Sequence, residues 1–202
     1  NTSAKILWIT LLVLVIVTSC IWYAIFCEER AGLLTVSFLD IGQGDSIFID
    51  APSGRQVLID GGKNRSVLRE LSKVSPWYDR TIDVVVGTHP DQDHIGGLPD
   101  VLSRYKVSLI VESSVKDAGG SDASALESAA GKEAENGAKR LVAKRGQIID
   151  LGRGAYIEIL FPDRSVPNVE TNTGSIVARL VYGDTSFILT GDSPRSIEEY
   201  LV

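Results

Sequence analysis

Residues 88–97 read Thr88-His89-Pro90-Asp91-Gln92-Asp93-His94-Ile95-Gly96-Gly97. The 202-residue chain holds two histidines, and both stand here, five positions apart, with Asp91 and Asp93 between them. Neutral imidazole and carboxylate are both good ligands for divalent first-row cations. Alternate residues of an extended backbone point to one side, so His89, Asp91 and Asp93 are expected to converge. Pro90 biases His89 toward the extended region, and Gly96-Gly97 lets the chain turn close to the ligands. Four donors on six residues can serve two adjacent ions, which such sites hold roughly 4 Å apart to generate a hydroxide near neutral pH. The bland alternative is a solvated loop closed by an Asx-turn. The pairing of both imidazoles with alternating carboxylates and a Gly-Gly turn favours the metal.

The flanking pattern supports that placement. Thr81 to Thr88 is continuous in valine, as a strand buried on both faces would be, and it leads straight into the motif. Upstream, 33–40, 46–50 and 55–60 read as strands, with turns at Gly42-Gln43-Gly44-Asp45 and Pro52-Ser53-Gly54. Asn64 to Val74 places Val67, Leu68, Leu71 and Val74 on one helical face. Helix is expected over 97–105 and strand over 107–112. Residues 116–137, rich in Ala, Gly, Ser and Glu, suggest a loop and a polar helix forming an excursion. Strands are expected over 147–151 and 156–161, a polar loop over 162–174, and a hairpin of 175–182 with 185–190 about Gly183-Asp184. Ser193 and Pro194 then fit the N-cap and first position of a last helix. Strands alternating with helices between two strand-rich ends predict an α+β fold, two sheets face to face with helices outside.

The beginning of the chain is different. Ile6 to Phe26 runs 21 residues without a charge. About 20 suffice for a helix to cross a bilayer. Trp8, Trp22 and Tyr23 lie near its ends, where amphipathic rings favour the headgroup zone. We therefore expect a membrane anchor over 1–30, with a single span at about 6–26, and a second domain over 31–202. A cleaved signal peptide is the alternative, and Val17-Thr18-Ser19-Cys20 resembles a lipoprotein signal. Lys5 before the span and Glu28-Glu29-Arg30 after it favour an extracytoplasmic domain. Cys20 and Cys27 would lie about 10 Å apart on one helix, beyond disulfide reach. Net charge is −6, with 26 acids and 19 bases from Glu28 onward, so composition shows no basic face for duplex binding. The cluster Lys139-Arg140 to Lys144-Arg145 reads as a solvated edge.

"HPDQDHIGG" resembles the His-x-His-x-Asp-His signature of the metallo-β-lactamase superfamily, with Asp91 where the second His usually stands. "FLDIGQGDSIFI" with "VLIDGG", and later "TNTGSIVARLVYGDTSFILTGD", look like the hydrolase domain of ComEC competence proteins. The resemblance implies an αββα sandwich, incomplete at the C-terminus because the family's last His-bearing segment would follow Val202. It implies two divalent metal ions, zinc or manganese. His89 and Asp91 would hold the first, Asp93 and His94 the second, and Asp192 would bridge them. Asp93 would also act in catalysis by orienting the attacking water. Asp60, with Gly61, Gly96 and Gly97, would support the site, while Gln43, Asp45 and Asn172 would face substrate. Asp91 hardens the first site and shifts preference from zinc toward manganese or iron.

The function so implied is a membrane-anchored metallo-hydrolase that cleaves phosphodiesters of DNA or nucleotides, in a setting related to competence and DNA uptake. The bilayer and a nucleic acid are its expected partners. Two alternatives stand beside it. One is a tethered binding or scaffold domain that has lost turnover, and the other is a β-lactamase proper.

Overall fold

The computed structural model describes residues 2–30, 32–115, 120–165 and 169–201, with the side chains of all of these except 26–30. The chain divides into two compact units, Asn1–Leu33 and Leu34–Val202. The first contains α1 (Thr2–Arg30). Its stretch Thr2–Ile25 is apolar enough and, at 24 residues, long enough to cross a membrane. The helix starts four residues before the apolar run, since nothing between Thr2 and Ile6 opposes helical φ and ψ. Thr10 returns its hydroxyl to the Ile6 carbonyl at 3.0 Å, so one of the few polar groups on the span is satisfied within the helix.

In the second unit, β1 (Thr35–Phe38), β2 (Ile47–Asp50), β3 (Gln56–Ile59), β4 (Thr81–Gly87), β5 (Lys106–Glu112) and β6 (Lys139–Val142) form one sheet in sequence order. The pairs β1/β2 and β2/β3 are antiparallel, and β3 to β6 run parallel. A second, antiparallel sheet has the order β10 (Thr185–Leu189), β9 (Val177–Tyr182), β8 (Ala155–Phe161), β7 (Ile148–Gly152). One apolar core lies between the sheets. It joins Val57, Val84 and Val86 of the first to Leu151, Ile157 and Leu180 of the second. A second core lies on the far side of the first sheet. There Phe48, Leu58 and Val85 meet Leu71 of α2 (Ser66–Val74), Ile95 of α3 (Gln92–Ile95), Leu98 of α4 (Leu98–Leu102) and Leu126 of α5 (Ser121–Glu135). Burial on both faces is why β4 is continuous in valine rather than alternating.

Several expectations need correction. The 116–137 stretch is no mere excursion, because α5 buries Leu126 and Ala130 in the helix-side core; residues 116–119 lie outside the described residues. The cluster at 139–145 begins with strand β6, which pairs with β5 as an edge. An edge strand needs no apolar alternation, and this one stays mostly exposed. Its Arg140 binds Glu112 and Glu127 at 2.9 and 2.6 Å, joining β6 to β5 and α5. The helix expected over 97–105 is shorter, ending at Leu102. The 3₁₀ turn Asn172–Gly174 lies within the loop expected over 162–174. The last helix, α6 (Arg195–Leu201), starts later than expected. The Pro194 carbonyl accepts the Ile197 N–H at 2.8 Å, and the Ser193 hydroxyl is buried without a partner instead of capping.

Ile157 is 1% exposed at the centre of the inter-sheet core. Ile157→Ala should cost about 2–5 kcal/mol through lost burial and the cavity left behind, read as a lowered midpoint in chemical unfolding. Leu160, its neighbour on β8, faces away from full burial, and Leu160→Ala should cost clearly less.

Candidate metal centre

The motif begins where β4 ends. Asp91 is still extended, at φ −69° and ψ 142°, but α3 starts at Gln92. The expected alternation of His89, Asp91 and Asp93 therefore stops at Asp91. Asp93 and His94 sit on a helical turn, whose period is 3.6 residues rather than 2.

Asp60 organises the turn. It follows β3, is 1% exposed, and holds a left-handed φ of 58°, which Asp tolerates better than most residues. Its Oδ1 accepts the Thr88 N–H at 2.8 Å, and its Oδ2 accepts the Thr88 hydroxyl at 2.6 Å and His94 Nδ1–H at 2.8 Å. The proton is assigned to His94 Nδ1 because a carboxylate can only accept. His94 Nε2 is then turned toward Asp192, with Oδ1 at 3.4 Å.

His89 is held through its other nitrogen as well. Ser175 Oγ lies 3.0 Å and Thr88 Oγ1 3.1 Å from its Nδ1. The Thr88 hydroxyl proton is committed to Asp60, so its oxygen is free to accept from His89 Nδ1–H. That leaves an unprotonated Nε2 on a ring 1% exposed, and this atom is buried without a partner. The two rings lie 4.1 Å apart between centroids. One donor atom each from His89, His94 and Asp192 falls within 4.8 Å of the others. Asp91 flanks the group, its Oδ2 3.6 Å from His89 Nε2. His89 Nε2, and His94 Nε2 once its proton is displaced, are nitrogens fixed by bonds at their far sides, with carboxylates opposite, and fit a divalent cation.

Glycines let these segments approach. The Gly61 N–H donates to the His94 carbonyl at 2.7 Å and the Gly97 N–H to the Gly62 carbonyl at 2.9 Å. A Cβ on Gly97 would stand 2.2 Å from the Gly61 carbonyl oxygen, and one on Gly96 2.4 Å from that of Lys63. Gly44 lies in the turn 42–45. Its φ is +88°, and a Cβ there would lie 1.6 Å from the Asp93 carbonyl oxygen, so the 42–45 loop lies directly on the ligand loop. Gln43 and Asp45 of that loop are exposed, and the Asp45 carbonyl accepts the Gly62 N–H at 3.0 Å.

The remaining predicted residues are placed less centrally. Asp93 is half-buried and outside the three-donor group, with no hydrogen bond or ion pair among the described residues. Asn172 keeps a buried Oδ1 without a hydrogen-bond partner. From the same segment it is Ser175 that reaches the site, a role that residue type alone did not signal. A cavity of about 920 Å³ opens beside His89 and Pro90 and extends to Ser113, Ser114 and Arg140.

The two imidazoles differ in charge. Burial lowers the His89 pKa, and the neighbouring His94 lowers it further, so His89 stays neutral. Burial also opposes charge on His94, but the hydrogen bond and charge of Asp60, with Asp192 and Asp45, lift it to about 9. Without metal, the protein therefore holds a proton between carboxylates where a cation would bind.

The family model of the Metallo-beta-lactamase superfamily matches residues 39–201, and the chain belongs to that superfamily. It is 30% identical over 185 residues to ComE operon protein 3 of Bacillus subtilis (strain 168), a match covering 81% of this chain and 23% of that protein. The chain thus spans under a quarter of that relative's length. Among solved structures, a Cronobacter sakazakii metallo-β-lactamase with a HARLDQ motif superposes at a TM-score of 0.52 and 16% identity, over 77% of this chain and 58% of that one. The Rm3 metallo-β-lactamase does so at 0.50 and 15%, over 76% and 56%. These two likenesses establish the fold.

Two outcomes follow from His94. Its folded pKa of about 9 lies above the ordinary 6.5, so it contributes stability fully present below pH 6.5 and lost as pH rises through 9. In the presence of chelator the melting temperature should fall over that window, and Asp60→Asn should flatten the fall. Binding of zinc or manganese near neutral pH should release about one proton, seen by calorimetry in buffers of different ionisation enthalpy. Separately, Gly44→Ala should weaken metal affinity by roughly 10–100-fold by pushing the Asp93 backbone aside, read by competition with a chromogenic chelator.

Proposed function

We propose that this chain is a membrane-tethered metallo-hydrolase domain that cleaves phosphodiester bonds in nucleic acid or nucleotides. The observation that carries the hydrolytic reading is His89 Nε2, a lone pair buried without a partner and gathered with His94 and Asp192. A buried polar atom left unpaired costs free energy that a bound cation would recover. The ComEC resemblance supports the diester as substrate, and the ligand-loop Asp91 supports a hard, oxygen-rich centre. On this reading α1 crosses the membrane once, with the hydrolase domain on the extracytoplasmic side.

His89, His94 and Asp192, flanked by Asp91, would hold two divalent ions, manganese or zinc. Bound there, such ions supply an activated water near neutral pH and positive charge for the developing oxyanion. The protein's own contribution is positional. Asp60 keeps the His94 tautomer by taking its Nδ1–H, and Ser175 and Thr88 do the same for His89. Asp93 carries a carboxylate with no competing partner among the described residues, suited to take a proton from the attacking water. The cavity of about 920 Å³ beside His89 and Pro90 gives the scissile group room.

The test is hydrolysis of bis(p-nitrophenyl) phosphate and of linear DNA by the full chain in detergent. Chelator should abolish cleavage, and manganese or zinc should restore it. His94→Ala and Asp192→Ala should each lower the rate by more than about a hundredfold, as loss of a ligand must exceed the loss of a ligand's support. Asp93→Asn should lower kcat with metal content retained. Hydrolysis of a chromogenic cephalosporin with no diester cleavage would instead favour a β-lactamase. Absence of any metal-dependent turnover with full metal content would favour a binding domain.

A further inference from the structure

The end of the six-stranded sheet opposite the metal centre carries an unusual surface. Thr35 pairs with Asp50 and Asp50 with Gln56, and Gln56 Nε2 donates to Asp79 Oδ2 at 2.9 Å. Asp79 belongs to the connection that feeds β4. The first residue of β1 and this connection therefore share one end of the sheet. The connection presents Trp77, 81% exposed, beside Tyr78, 60% exposed, with their rings edge to face at 5.8 Å. Arg80, Arg104 and Lys106 are exposed at the same end. The Lys106 N–H donates to the Arg80 carbonyl at 2.8 Å, and the Arg80 guanidinium lies 5.9 Å from the centre of the Tyr105 ring. The nearby Asp79 carboxylate is taken up by Gln56 and by Thr81.

One exposed aromatic would be ordinary. Two adjacent ones beside three cationic side chains match a lipid surface. Indole and phenol rings favour the headgroup zone, and Lys and Arg are drawn to anionic headgroups. The chain itself points to this occupant. Only residues 31–34 separate α1 from β1. Four residues reach about 14 Å at most, and β4 stands three strand spacings, about 15 Å, from β1.

We infer that the Trp77–Tyr78 loop, with Arg80, Arg104 and Lys106, docks the hydrolase domain onto an anionic bilayer surface. This rests on the proposal that α1 spans the membrane. The metal centre, at the far end of the seven-residue β4, then opens away from the lipid. A substrate arriving from the aqueous side would reach it without passing the headgroups.

The experiment uses the full chain reconstituted in vesicles of phosphatidylcholine and phosphatidylglycerol in equal parts. The chain has three tryptophans, so Trp8→Phe with Trp22→Phe leaves Trp77 as sole emitter, and Trp8→Phe with Trp77→Phe leaves Trp22. Lipids brominated near the headgroup should quench roughly half of the Trp77 emission, which should also be blue-shifted, as expected of an interfacial indole. Arg104→Glu with Lys106→Glu, both at exposed positions, should reduce that quenching. Quenching of Trp22 with Trp77 unchanged would overturn the docking surface and leave the anchor standing. Quenching of neither would overturn the anchor and the docking surface with it.

Discussion

The structure turns on one buried carboxylate. Asp60 is all but inaccessible, and an isolated charge there would be prohibitively costly. It is tolerated because three donors converge on it, two from Thr88 and one from His94. Those bonds are also what shape the site. The Thr88 N–H bond fixes where β4 ends, and the Thr88 hydroxyl leaves its oxygen free for His89. The His94 bond fixes which nitrogen of that ring faces the centre. Solvation of one carboxylate and preorganisation of two imidazoles are the same set of contacts.

The electrostatic consequence is a site built around positive charge. Asp60, Asp192 and Asp45 together lift His94 to about 9, although burial works the other way. His89, equally buried but held by hydroxyls, goes down. The protein thus keeps one imidazole ready as a neutral donor and stores a proton on the other. A cation that displaces this proton meets carboxylates already in place. The backbone allows this crowding only because Gly44, Gly96 and Gly97 present no Cβ where neighbouring carbonyls stand.

Much of this was legible in the chain. The valine run of β4, the paired histidines and the "IDGG" turn each have a direct local cause, and the αββα order follows from alternating strand and helix signals. The failures also have local causes. Extended-strand alternation groups Asp93 with His89, but the backbone turns helical at Gln92, directly after Asp91, whose N-cap residue type is also that of a metal ligand. Strand β6 was missed because an edge strand can be as polar as a loop. The polar helix α5 was undervalued because Leu126 and Ala130 are a thin apolar stripe that matters only once a sheet face lies beneath it.

By itself the sequence determined the ligand chemistry of the His89–His94 loop and the apolar helix at the start. These depend on residue type and short spacing, which a chain displays directly. Only the tertiary structure decided which donors meet. Asp192 lies 98 positions beyond His94 yet stands 3.4 Å from it. Ser175 lies 86 positions beyond His89 yet holds its ring. Gly44 is pressed on Asp93 from a separate turn. Such contacts arise when two sheets close on a shared apolar core, and hydrophobic burial sets their distance without leaving a mark at the residues that are thereby joined.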